Sequence, residues 1–136
     1  MIKMNGHSLP LIWRKFPERY NLLGTKCETC GKSYFPSRKI CPVCRRKGKL
    51  VDETMPNEGK IMSFTKLTSC PYGFEKELPY FIAIIELNNK AHLLAQLVDK
   101  DESKIKIGAK TKMVFRKIAD KDIEGPIAYG YKFKVI

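Results

Sequence analysis

Four cysteines fall within eighteen residues as two C-x-x-C pairs, Cys27/Cys30 and Cys41/Cys44, in the stretch "CETCGKSYFPSRKICPVC". This feature constrains the fold more than any other. In a C-x-x-C turn both sulfurs approach one ion while backbone amides of the turn donate to them. Two such turns ten residues apart build a zinc ribbon, two knuckles each ending a short hairpin. Gly31 stands directly after the first pair, where a left-handed turn residue is wanted. Zn²⁺ on Cys27, Cys30, Cys41 and Cys44 is the expected ligation, with iron in rubredoxin style as the minor alternative, since four thiolates suit both metals. Four protein ligands leave no open position, so the metal is expected to be structural. A dithiol redox centre needs one reactive pair, and two symmetric pairs at this distance argue against it.

The chain has 136 residues, enough for one ordinary domain or two very small ones. A piece of roughly 50 residues rarely buries enough apolar surface to fold alone, so a ribbon over residues 22–50 needs its metal. The first residues lack a long apolar stretch with a cleavage site, and no apolar run approaches the ~20 residues of a membrane span. A cytoplasmic location is therefore expected, where thiols stay reduced and paired cysteines bind metal. Residues 1–49 hold twelve Lys and Arg against Glu18 and Glu28, a net of +10, while residues 50–136 hold fourteen against twelve, a net of +2. Four thiolates and one Zn²⁺ would bring the first third to about +8. That excess either offsets the anionic metal site or forms a landing surface for an acidic partner, nucleic acid or a phosphorylated cofactor.

Three segments are expected: an N-terminal helical segment at 1–21, the ribbon at 22–50 and a barrel domain at 51–136. In "SLPLIWRKFPERY" the apolar residues fall at near-helical spacing, with Trp13 beside them, Ser8 as N-cap and Pro17 as a break. One or two short helices result, which need something to dock on. Residues 51–58 are polar and aperiodic and read as the boundary. From Gly59 onward five strand patterns follow, over 60–68, 79–87, 91–98, 111–118 and 127–136. Asn88-Asn89 marks a tight hairpin, and Gly108 a bend after a possible helical turn. A mainly β protein ending in a closed five-stranded OB-fold barrel is the natural assembly. Tyr129, Tyr131, Phe133 and Val135 share one face of the last strand and read as barrel core.

Catalytic equipment is thin. His7 lies near the N-terminus, His92 sits on a strand pattern, and Cys70 is a lone loop thiol; none has a partner at catalytic spacing in the sequence. The chain reads as a non-enzyme. Tyr72 and Phe74, in the loop between Pro71 and Pro79, are candidates to cap the barrel, bind a flat ring or anchor a partner.

The pattern resembles a family of small, mostly archaeal and bacterial proteins that join N-terminal helices, a rubredoxin-like zinc ribbon and an OB-fold. They were long classed as a domain of unknown function and then linked to acyl-CoA enzymes. The resemblance runs over "FPERYNLLGTKCETCGKSYFPSRKICPVC", including Phe35-Pro36-x-Arg38, and over "GKIMSFTKL", "LPYFIAIIEL", "IGAKTKMVF" and "YGYKFKVI". It implies an accessory scaffold that binds acyl-CoA, or a thiolase-type enzyme in a hetero-oligomer, with bridging of thiolase and 3-hydroxy-3-methylglutaryl-CoA synthase as one form. Candidate contacts to a partner or to CoA are Trp13, Arg38, Arg45, Arg46, Lys47, Tyr72 and Phe74. A nucleic-acid-binding ribbon and barrel is the alternative, and it would place Arg45, Arg46 and Lys47 on phosphates.

Overall fold

The computed structural model describes residues 9–70, 74–120 and 127–136. His7, Ser8 and Tyr72 lie outside them. Of the one or two short helices expected there is one, α1 (Leu9–Asn21), without the break expected at Pro17. Pro17 sits inside it and removes the amide that would bond the Trp13 carbonyl, yet the helix continues to Asn21. Docking explains this continuity: α1 packs against the last barrel strand and the first ribbon strand.

Three strands form the ribbon sheet in the order β2-β1-β3, with β1 (Leu23–Cys27), β2 (Ser33–Tyr34) and β3 (Leu50–Thr54) all antiparallel. Residues 51–54 were read from sequence as aperiodic. Their partner is β1, which pairs along its full length from Leu23↔Thr54 to Cys27↔Leu50. Gly24 on β1 is buried where any side chain would collide, since a Cβ would stand 2.4 Å from the Tyr34 carbonyl oxygen.

The barrel holds β4 (Glu58–Leu67), β5 (Tyr80–Leu87), β6 (His92–Leu97), β7 (Lys110–Asp120) and β8 (Ile127–Val135), closed in the order β4-β5-β6-β8-β7. This is the OB arrangement expected from five strand patterns. The β5–β6 hairpin forms where Asn88-Asn89 predicted it. Its left-handed residue, however, is Lys90 (φ 69°), while the Asn89 side-chain oxygen accepts the Ala91 amide. Between β6 and β7, where a possible helical turn was expected, the chain makes turns, Gly108 bends at φ 86°, and buried Ile105 joins the core. β6 and β8 run parallel and meet at one register position, Leu97↔Phe133.

The core is continuous across ribbon and barrel. Leu22, Phe35 and Met55 from the ribbon side join Ile61, Phe81, Ile85, Leu87, Leu97 and Phe133 in one apolar cluster. The β8 stripe divides along its length, which corrects its reading as uniform core. Phe133 is fully buried and Tyr131 half-buried, whereas Tyr129 is 37% exposed. The β7–β8 hairpin outgrows the barrel, and there Tyr129 stacks on Phe115 (ring centroids 5.6 Å apart, planes 10° apart). Phe115 in turn meets Tyr20 of α1 edge-on at 4.9 Å. Phe133→Ala should therefore cost ~3–5 kcal/mol and Tyr129→Ala only about 1 kcal/mol, measured by denaturant unfolding. Equal losses would return Tyr129 to the core.

Candidate metal centre and its surroundings

The Sγ atoms of Cys27, Cys30, Cys41 and Cys44 all lie within 4.8 Å of one another. Cys27 to Cys44 is 3.9 Å and Cys30 to Cys41 is 3.7 Å. A tetrahedron with Zn–S bonds of about 2.3 Å has edges of about 3.8 Å. Disulfides would need ~2.05 Å, and all four thiols are free. The residues fit a four-thiolate metal, and Zn²⁺ or iron would find every coordination position filled by protein.

Local backbone geometry explains why the sequence folds this way. In the first knuckle Gly31 takes φ 75° and its amide donates to the Cys27 carbonyl at 2.8 Å. In the second, Arg45 takes the same left-handed turn at φ 53° and donates to the Cys41 carbonyl at 2.8 Å. Gly48 closes over the cluster: a Cβ there would stand 2.8 Å from Cys41 Cβ, 3.0 Å from Cys44 Cβ and 3.2 Å from Cys27 Sγ. Sequence reasoning passed over Gly48, although a glycine four residues past the last cysteine was the available signal.

Charge is prepared in the same way. The amide of Cys30 holds the Cys27 thiol below its ordinary value. The Cys44 amide and the Tyr34 hydroxyl help bring Cys41 down to about 6. Burial and the neighbouring thiols push Cys44 up to about 12, so the fourth thiolate forms only against a cation. Tyr34, which donates to Cys41 Sγ at 3.6 Å, has its own ionisation pushed up by that bond and stays a donor.

The other predicted residues are not gathered into one site. Arg45, Arg46 and Lys47 stand exposed on the second knuckle, next to exposed Ile40 and Val43. Trp13 is 73% exposed on α1 and touches Phe16 (centroids 5.6 Å). Phe74 is half-buried against Tyr80. Arg38 lies over the Tyr34 ring at 5.5 Å. It lines a pocket of about 620 Å³ between ribbon and barrel, together with Lys32, Phe35, Lys90 and His92. Among the described residues no acidic side chain lines that pocket; Glu86 holds His92 at 3.1 Å and Lys90 at 3.9 Å from outside it. Burial and Glu75 push the Cys70 thiol up, the wrong direction for a nucleophile.

Cys27→Ser should lower bound metal well below one ion per chain and expose the ribbon sheet amides. Cobalt substitution of the wild type should give tetrahedral thiolate absorption. Full metal content in the variant, by elemental analysis, would remove Cys27 from the ligand set.

Comparison with known proteins places the molecule. Residues 14–50 match the rubredoxin-like zinc ribbon domain of ChsH2, and residues 52–116 match the ChsH2 C-terminal OB-fold domain. The chain is 46% identical over 122 residues to a DUF35 domain-containing scaffold protein of Methanothermobacter thermautotrophicus, covering 90% of this chain and 92% of that one. A second DUF35 domain-containing scaffold protein, from Methanocaldococcus jannaschii, is 44% identical over 124 residues, covering 91% and 88%. Among solved structures, the chain described as "Ltp2-ChsH2(DUF35) aldolase" aligns with TM-score 0.70 at 23% identity over 92% of each chain, a likeness of fold. With its ribbon and barrel both matched, and relatives of this identity along nearly its whole length, the chain belongs to the DUF35 family.

Proposed function

We propose that this protein is a non-catalytic cytoplasmic scaffold that joins a thiolase-type acyl-CoA enzyme and contributes a contact for the phosphorylated end of CoA. The observation that carries the reading is the ribbon–barrel pocket. Lys32 and Arg38 supply cations, the half-buried Tyr34 supplies ring surface, and no carboxylate among the described residues lines it. A nucleotide with several phosphates needs that combination of fixed positive charge and a flat apolar face. Relatives named scaffold proteins support the accessory role. So does the raised ionisation of the Cys70 thiol, which disfavours the thiolate a nucleophile needs.

Exposed Trp13, with Leu11 on the same helix, and the second knuckle with Arg45, Arg46 and Lys47 are the surfaces offered to the enzyme. Aromatic and arginine side chains are the usual anchors of such contacts. The nucleic-acid alternative has less behind it. The outward residues of β5 and β6 include Ile84, Glu86 and Leu94, a surface without the stacked aromatics or cations that single strands require.

Calorimetric titration with acetyl-CoA tests the ligand, and co-purification from native extract tests the partner. Arg38→Ala should weaken acetyl-CoA binding roughly tenfold or more without changing metal content. Trp13→Ala should reduce recovery of the enzyme while leaving acetyl-CoA binding intact. Wild-type protein that binds no CoA and retains no thiolase-type enzyme would defeat the proposal.

A further inference from the structure

A second recess lies farther along β6, between α1 and the barrel wall, with a volume of about 400 Å³. It exists because β6 and β8 meet at a single register position and leave a seam that α1 flanks. Gly130 of β8 lets the helix come close: a Cβ there would lie 3.4 Å from Arg19 Cβ and 2.4 Å from Ile118 Cδ1.

Among the described residues that line the recess, the charges are paired except at Arg19. Lys15 pairs with Glu18 at 3.2 Å, and Lys132 pairs with Glu77 at 3.1 Å. Arg19 Nη1 is shielded from solvent and has no hydrogen-bond partner. A shielded, unpaired donor on a cation is costly, by ~1–3 kcal/mol or more. Tyr131, half-buried in the same wall, makes no hydrogen bond through its hydroxyl among the described residues. Burial and Glu18 push its ionisation up to about 12, so that hydroxyl is a donor at neutral pH. Facing these donors are apolar surfaces, Leu94, which is 61% exposed, and Phe74.

We propose that this recess binds a small aliphatic monocarboxylate, its carboxylate on the Arg19 fork and the Tyr131 hydroxyl and its chain along Leu94 and Phe74. A planar guanidinium matches a carboxylate through two parallel bonds. Turning the fork to present Nη1 breaks no existing hydrogen bond at that atom. Glu18 and Glu77 stand nearby, so one negative charge is tolerated and a phosphate dianion is repelled. Arg19 and Tyr131 line a concave recess, and not a protruding face, which selects a small molecule over a protein surface. This site is separate from the ribbon–barrel pocket and stands whether or not that pocket takes CoA.

The test is titration of the metal-loaded full chain with sodium hexanoate and sodium acetate, followed by ¹H–¹⁵N spectra that include the Arg19 side-chain Nε–H. Hexanoate should give saturable shifts of the Arg19 side chain and of the Leu94 and Tyr131 amides. It should bind about tenfold or more tightly than acetate, since each buried methylene contributes a factor of about four. Arg19→Gln should lose at least tenfold in hexanoate affinity. Leu94→Ser, at an exposed side chain, should weaken hexanoate and leave acetate unchanged. Should Arg19→Gln loosen α1, seen as a changed Trp13 fluorescence, Arg19→Lys keeps the charge without the fork and should also bind hexanoate more weakly. The proposal is overturned by any of four results: no saturable shift by ~20 mM hexanoate, where a millimolar site is nearly filled; equal affinity for acetate and hexanoate; wild-type affinity in the Arg19 variants; or the same shifts with hexanol.

Discussion

Burial of Phe35 in the barrel's apolar cluster is the contact on which the arrangement of the two halves depends. A ribbon of this size cannot supply its own core, and the cysteine cluster fixes only its knuckle end. Phe35 supplies the other hold. It leaves the ribbon between the knuckles, meets Tyr131 edge-on at 5.5 Å and joins Leu22 and Met55 against the barrel interior. A buried phenyl group contributes ~1.5–3 kcal/mol, modest beside a structural zinc at ~10–16 kcal/mol. Yet the metal orders the ribbon within itself, and Phe35 orders it relative to the barrel.

The residues around Phe35 extend that coupling. Ser33 donates to Glu53 at 2.6 Å, and Glu53 also accepts from Asn89 of the β5–β6 turn, a polar link from ribbon to barrel. Tyr34 donates to a metal-site sulfur, Ser37 to the Leu23 carbonyl, and the Arg38 amide to Thr25. The segment between the cysteine pairs thus tunes the metal, locks the sheet and shapes the cationic pocket at once. That is why it characterises the sequence better than the cysteines, which many ribbons share.

Much of this was legible in the chain itself. Cysteine spacing with Gly31 sufficed for the ribbon, and five alternating segments sufficed for the barrel, because each depends on local pattern. What escaped was set by tertiary contact. Pro17 should end a helix, but docking on β8 keeps α1 whole. Residues 51–54 alternate in burial but not in polarity, because the inward position after Val51 is Glu53, which accepts from Ser33 and Asn89. Tyr129 keeps the period of Phe133 while the barrel beneath it has ended, and periodicity carries no information about where a wall stops. Lys90 holds the left-handed position that the neighbouring asparagines seemed made for. At the metal, Tyr34 was invisible because closeness to a sulfur is a property of the folded chain.

The seam between β6 and β8 gives the barrel an uneven mechanical character. Elsewhere the wall is laced by backbone ladders, but here a single register position and the Val98 amide on the Phe133 carbonyl join the two strands. Glu77, reaching from the loop before β5, bridges them by accepting from Lys132 and from the Gln96 amide. A wall closed by side chains opens locally at lower free energy than one closed by a ladder. Breathing is therefore concentrated on the side flanked by α1. The barrel thus has one compliant flank, the one beside α1, in a wall otherwise held by ladders.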